Sequence, residues 1–187
     1  MSEAVSPLNG ARFKGSVMVQ EEPPQGMITL RGDLASAAMV KAVKAAVKAE
    51  VPAQRMLTTG EGDALWMSPD ELLVLVPYAD ADETVAKIDG AMGKAHHLAA
   101  NVSDARALFT LTGPGIRDVL AKLTPADLSQ TALPLAEVRR TRLAQVPAAF
   151  WFSADDTCHV ICFRSVAQYV FDILKASANP MAEVGYS

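Results

Sequence analysis

The sequence predicts an α+β fold made of two ferredoxin-like βαββα lobes from an internal duplication, with a mostly antiparallel sheet packed by helices. Three observations predict it. "LWMSPDELLVLV" (65–76) has an echo in "FWFSADDTCHVICF" (150–163), each a bulky apolar run, a short Ser/Asp turn and a second apolar run. The only two tryptophans, Trp66 and Trp151, fall at matching places 85 positions apart. "MITLRGDLASAAMVKAV" matches "LFTLTGPGIRDVLAKL" in residue type, with Gly32 and Gly113 offset by 81, so the two offsets differ only by loop length. Strand–helix–strand–strand–helix read twice gives helices spaced through an antiparallel sheet.

Residues 1–25 read as an N-terminal arm, 26–95 as the first lobe and 96–187 as the second lobe with a bridging strand. The arm ends in "VQEEPPQG", carries little periodicity and is predicted to be irregular. Ordering it costs entropy, so it should lie on this domain or on a partner. "GMITLRG" (26–32) is a strand bounded by glycines. Asp33 is the expected N-cap of the following helix, in which Leu34, Ala38, Val40, Val43 and Val47 form an apolar stripe opposite Lys41, Lys44 and Lys48, and Pro52 stops it. Residues 52–62 read as a loop. "DALWMS" and "ELLVLVP" are strands joined by a type I turn over "SPDE". A capping-box reading of those four residues fails because "ELLVLV" is short and has no polar face. "DADETVAKIDGAMGK" is the second helix, its acidic start matching the dipole.

"HHLAANVSD" (96–104) is the bridging strand, and the order then recurs. "ALFTLTG" is a strand. "PGIRDVLAKL" (114–123) opens a helix with Pro114 at its first position. After a loop, "VRRTRLAQVPAAFWFS" and "TCHVICF" read as two strands around the "SADD" turn. "SVAQYVFDILKASA" is the last helix, capped by Ser165, with Val166, Val170, Ile173 and Leu174 inward.

Half of the 187 residues are apolar and 20% charged, which excludes a disordered chain. Seventeen Lys and Arg against 21 Asp and Glu leave a net charge of −4, the wrong sign for nucleic-acid binding. No apolar run approaches the ~20 residues that cross a bilayer, and the polar start lacks a signal-peptide core. The expectation is a cytoplasmic protein that binds neither membrane nor nucleic acid.

No catalytic set has workable spacing. No G-x-S-x-G occurs. "TLTGPGIRD" places Gly113 and Gly115 between strand and helix but lacks the third glycine of a dinucleotide fingerprint and the lysine of a P-loop. A phosphate on that helix start, or a plain turn, fits it. Cys158 and Cys162 are about 13 Å apart along a strand, too far for a disulfide, and read as packed thiols. His159 falls on the opposite strand face, so it cannot join them on a metal, and His96 and His97 lie elsewhere. Asp155 and Asp156 suit a turn. Arg139, Arg140 and Arg142 cluster in one predicted strand, either as an exposed face or as a fork for an acidic partner. The expected sets of catalytic, cofactor-binding and metal-binding residues are all empty.

Four stretches together resemble one family: "LWMSPDELLVLVP", "VSDARALFTLTGPGIRDVLAKLTPADLS", "RRTRLAQVPAAFWF" and "FRSVAQYVFDIL", over residues 63–175. The middle one is the most specific, combining Asp104, Gly113-Pro114, Leu120 and Asp127-Leu128, with Thr141 following. The pattern resembles the gamma subunit of bacterial heterotetrameric sarcosine oxidase. The resemblance implies a non-catalytic subunit of a complex that demethylates sarcosine oxidatively to glycine, makes hydrogen peroxide and passes the one-carbon unit to tetrahydrofolate. It implies FAD, FMN, NAD and tetrahydrofolate in partner subunits, zinc in the small delta subunit, and docking chiefly on the alpha subunit. It also implies a fold related to folate-binding aminomethyltransferase domains. Two other readings stay open: a stand-alone folate-binding or aminomethyltransferase-like protein, and an unrelated binding module.

Overall fold

The computed structural model describes residues 4–182. In chain order the elements are β1 (Arg12–Lys14), β2 (Met18–Glu21), β3 (Gln25–Gly32), α1 (Ala37–Val47), β4 (Leu57–Thr59), β5 (Asp63–Ser68), β6 (Glu71–Pro77), α2 (Ala81–Met92), β7 (His97–Asn101), β8 (Arg106–Thr112), α3 (Ile116–Ala121), β9 (Arg139–Leu143), β10 (Val146–Ala154), β11 (Thr157–Phe163) and α4 (Ala167–Ser177). They form two antiparallel sheets in two compact units.

One unit is Gln25–Asp104. Its sheet order is β4-β5-β6-β3-β7, every pair antiparallel. Without the edge strand β4, this is a complete ferredoxin-like βαββαβ module. Ile28, Leu30, Leu72 and Val74 of the sheet bury against Met39, Val43 and Val47 of α1 and Ile88 and Met92 of α2. Full burial of each such side chain contributes about 1.5–3 kcal/mol. The 63–68 and 71–77 strands fall where the sequence places them.

Helix α1 starts later than expected. Ser36, not Asp33, is its N-cap: the Ser36 hydroxyl accepts from the Met39 N–H at 3.2 Å. Asp33 holds the turn before it, its carboxylate accepting from the Ala35 N–H at 3.0 Å. The helix also ends before Pro52, because Lys48 adopts a left-handed conformation (φ 56°) and donates its N–H to the Lys44 carbonyl at 3.1 Å. The predicted loop over 52–62 contains β4, which pairs with β5.

The other unit joins the chain up to Pro24 with the chain from Ala105. Its sheet order is β1-β2-β8-β11-β10-β9. Phe109, Leu111, Phe150, Phe152 and Val160 bury against Ile116 and Leu120 of α3 and Val170 and Leu174 of α4. The expected irregular arm is therefore corrected: its described part supplies two strands of this sheet. The bridging strand is corrected too. As β7 it pairs with β3 and completes the first sheet rather than opening the second.

The repeat becomes clear from the sheet orders. β3, β4, β5, β6 and β7 correspond to β8, β9, β10, β11 and β2. The second module has no strand after α4 among the described residues, and β2, arriving from the other end of the sequence, takes the place that β7 fills in the first.

Three further expectations change. "VRRTRLAQVPAAFWFS" is a hairpin, not one strand: Leu143 pairs with Val146 across Ala144-Gln145, with Ala144 at φ 48°. Pro114 precedes α3, which begins at Ile116 behind Gly115 at φ 84°. No side-chain cap precedes α4, so Ser165 is not its cap; a single 3-10 turn over Arg164–Val166 leads into it.

Candidate functional site

The N-terminal strands are held by one carboxylate. Glu21, at the end of β2, is 1% exposed. Its oxygens accept from the Ser6 hydroxyl at 2.7 Å, the Gly10 N–H at 2.8 Å and the Leu8 N–H at 3.0 Å. A buried carboxylate is tolerable only when its lone pairs are met by donors in this way. Ser16 adds a second tie, donating its backbone N–H to the Ala178 carbonyl at 2.7 Å.

The two cysteines face the helix side of the second sheet and are buried and free. Burial pushes the Cys162 thiol up to about 12 and the Cys158 thiol further still. Burial thus disfavours the thiolate form of both. His159 lies on the opposite face, as alternation requires. It stacks on Trp151 with centroids 5.1 Å apart and meets the hydroxyls of Ser153 at 3.0 Å and Thr110 at 3.2 Å. Trp151 is buried, whereas its repeat partner Trp66 is half-buried against the first core.

His97 does something different. Its Nδ1 lies 2.8 Å from the Ala95 carbonyl and its Nε2 2.9 Å from the Asp89 carboxylate. Both partners only accept, so both contacts are made at once by the imidazolium. The Ala95 carbonyl, and then Asp89, raise its pKa above the ordinary histidine value. His96 is exposed and takes no part in the pair.

The three arginines separate. Arg139 donates to the Ala132 carbonyl at 2.7 Å and to Glu137 at 2.8 Å, which pins the loop before β9. Arg140 and Arg142 are exposed on the other face of that edge strand. At the Gly113-Pro114-Gly115 turn, Gly113 donates to the Asp156 carbonyl, and Asp118 already brings a negative charge to the first turn of α3. That occupancy favours the plain turn over a phosphate site. Among the described residues, no cluster of three or more His, Cys, Asp or Glu could hold a metal ion, and no helix is long and apolar enough to cross a membrane.

Sequence reasoning missed the Glu21 anchor and the open strand β7. Glu21 was one of two adjacent glutamates in an apparently irregular stretch, and nothing local marked it. For β7, read as a strand but not as an edge, the signal was present: "HLAAN" has no lysine, arginine or proline.

Two ferredoxin-like modules whose best-ordered polar groups tie backbone segments together define an α+β protein of the aminomethyltransferase-like fold. Aminomethyltransferase T of the glycine cleavage system from Bartonella henselae shares that fold, at TM-score 0.60 and 14% identity over 82% of this chain and 44% of that one. The chain belongs to the sarcosine oxidase, gamma subunit family, whose family model matches residues 31–179. It is 34% identical over 125 residues to the sarcosine oxidase subunit gamma of Arthrobacter sp, covering 64% of this chain and 60% of that one. It is 31% identical over 131 residues to that of Corynebacterium sp. (strain P-1), covering 68% and 64%. The chain thus spans 60% and 64% of the length of these two relatives. A chain of the heterotetrameric sarcosine oxidase from Corynebacterium sp. U-96, solved in complex with pyrrole 2-carboxylate, has the same fold. The TM-score is 0.82 at 22% identity, over 94% of this chain and 91% of that chain.

Proposed function

We propose that this chain is a non-catalytic gamma subunit of a cytoplasmic sarcosine oxidase complex. It acts by assembly with larger flavin-bearing subunits, chiefly the alpha subunit, which carry FAD, FMN, NAD and tetrahydrofolate. The complex converts sarcosine to glycine and passes the one-carbon unit to tetrahydrofolate. The observation that carries this reading is the family match over residues 31–179. The chemistry of the side chains agrees with it. Burial raises the pKa of both thiols, and Glu21, Arg139 and His97 are engaged by neighbouring backbone and side-chain groups. Deleting the gene for this chain should abolish sarcosine-dependent peroxide formation in the native cells, and supplying the full chain should restore it. Undiminished activity in the deletion strain refutes the reading.

The fold shared with aminomethyltransferase T supports one other reading, a stand-alone folate-binding protein. Calorimetric titration of the isolated chain with tetrahydrofolate separates the two: saturable micromolar binding favours the second.

A further inference from the structure

We propose that the open edge of β7 is a docking strand, which takes an antiparallel extended segment of a partner subunit bearing a basic residue beside Asp82 and apolar residues against Leu98 and Ala100. The inference rests on the subunit reading and adds to it the place and the chemistry of one contact.

The register fixes which backbone groups face outward. Val102 donates its N–H to the Met27 carbonyl at 2.8 Å, and β7 pairs with β3 in unbroken register, Ile28 with Asn101 through Gly32 with His97. In an antiparallel ladder, hydrogen-bonded pairs alternate with pairs whose N–H and C=O groups point away. Counting from Val102, Ala100 and Leu98 bond to β3, while Asn101, Ala99 and His97 present their backbone groups to the open side. Three alternate residues of this strand are thus a template for another strand.

The other sheet edges in the protein are defended and β7 is not. β1 is three residues long and carries Arg12 and Lys14. β4 is three residues long. β9 carries Arg139, Arg140 and Arg142. Short length and basic residues are the usual means of blocking strand addition. β7 has five residues and no Lys, Arg, Pro or bulge, its one basic residue, His97, is turned to Asp89 and the Ala95 carbonyl, and Leu98 is 53% exposed on the face away from α2. The internal repeat shows what this edge accepts. The equivalent strand of the other module is β2, and there a further antiparallel strand, β1, lies on it.

Charge selects the occupant. On the α2 side, Asp82 accepts from the amide of Asn101, an uncharged partner, at 2.7 Å, and Asp89 sits beside His97 at the other end of the strand. A second copy of this chain, paired about Ala99, sets Asn101 opposite His97, whose two ring nitrogens are already taken by Asp89 and the Ala95 carbonyl, so it brings Asp82 no free basic partner. A segment with Lys or Arg opposite Asn101 and apolar residues opposite Leu98 and Ala100 satisfies both faces.

The test uses the affinity-tagged full chain captured from its native cells. Ala99→Pro removes an outward N–H and leaves the β3 ladder intact, since proline is accepted at such edge positions. Thr59→Pro is the control, at an outward position of the edge strand β4. The expected result is that wild type and Thr59→Pro capture the flavin-bearing subunits, while Ala99→Pro, folded and with an unchanged melting temperature, loses about tenfold or more of them. In the wild-type complex, amide exchange at Ala99 and Asn101 should slow about tenfold or more relative to the free chain. Undiminished capture by a folded Ala99→Pro chain, or unchanged exchange at those amides, overturns the inference and leaves the subunit reading standing. If Ala99→Pro does not fold, the exchange measurement alone decides. A wild-type homodimer that becomes monomeric in Ala99→Pro assigns the edge to a second copy and also overturns it. Failure of the wild type to capture any flavoprotein overturns the subunit reading and the inference together.

Discussion

Replacing Glu21 by glutamine should release the N-terminal segment from the second sheet. The substitution keeps the shape and changes one acceptor oxygen into an NH2 donor. In the native structure one oxygen faces the Leu8 N–H at 3.0 Å, and the other faces the Gly10 N–H at 2.8 Å and the Ser6 hydroxyl at 2.7 Å. An amide can satisfy one side only, so a part-buried backbone N–H confronts a donor, and the remaining bonds lose their charge assistance. Hydrogen bonds to a charged group are worth about 1.5–3 kcal/mol, and the combined loss should be about 2–4 kcal/mol. That corresponds to about 30- to 900-fold faster amide exchange at Leu8 and Gly10. Hydrogen exchange with residue resolution measures it, with Glu22→Gln as the control. Equal exchange rates at Leu8 and Gly10 in wild type and Glu21→Gln would refute the reasoning that this carboxylate anchors the segment.

Three other outcomes are expected. Trp151→Ala should lower stability by about 3–5 kcal/mol in urea unfolding, as for a buried aromatic, and Trp66→Ala by clearly less, because its indole is only half-buried. Equal losses would show that the two repeat positions carry equal packing. Cys158 and Cys162 should resist iodoacetamide at neutral pH in the folded chain and react once it is unfolded in urea, read by intact mass; labelling of the native chain contradicts their burial. The His97 contribution has a defined sign. A pKa raised in the folded state gives stability that is complete below about 6.5 and is lost as pH rises through the folded value. The wild-type advantage over His97→Gln should therefore shrink on going from pH 6 to pH 8, and an advantage that grows over that range rejects the imidazolium.

The central hairpins were legible because their chemistry is local. "ELLVLV" has no polar face, so it has to be a strand buried on both sides, and a Pro-Asp pair before it can only turn. The faces of Cys158, Cys162 and His159 followed from alternation alone. The strand break at Ala144-Gln145 was hidden because a two-residue hairpin normally announces itself with Asn-Gly or Asp-Gly, and neither residue here favours a positive φ. The helix boundaries were missed for a similar reason. Asp33 and Ser36 both suit a cap, and only the fold decides between them, while Lys48 ends α1 in a conformation that lysine seldom adopts. β2 was illegible because its inner pairing partner lies about ninety residues away in β8, as the Met18–Thr112 pair shows, and β1 pairs only with β2. Local pattern cannot register a pairing of that range. Glu21 was hidden for another reason: its donors lie in an irregular segment with no periodicity to mark them.

Native mass spectrometry of the assembly captured by the tagged chain tests the docking account most directly. The account predicts a heteromeric species containing this chain together with larger subunits and bound flavin. A chain that flies alone, flavin-free, under the same gentle conditions would contradict it.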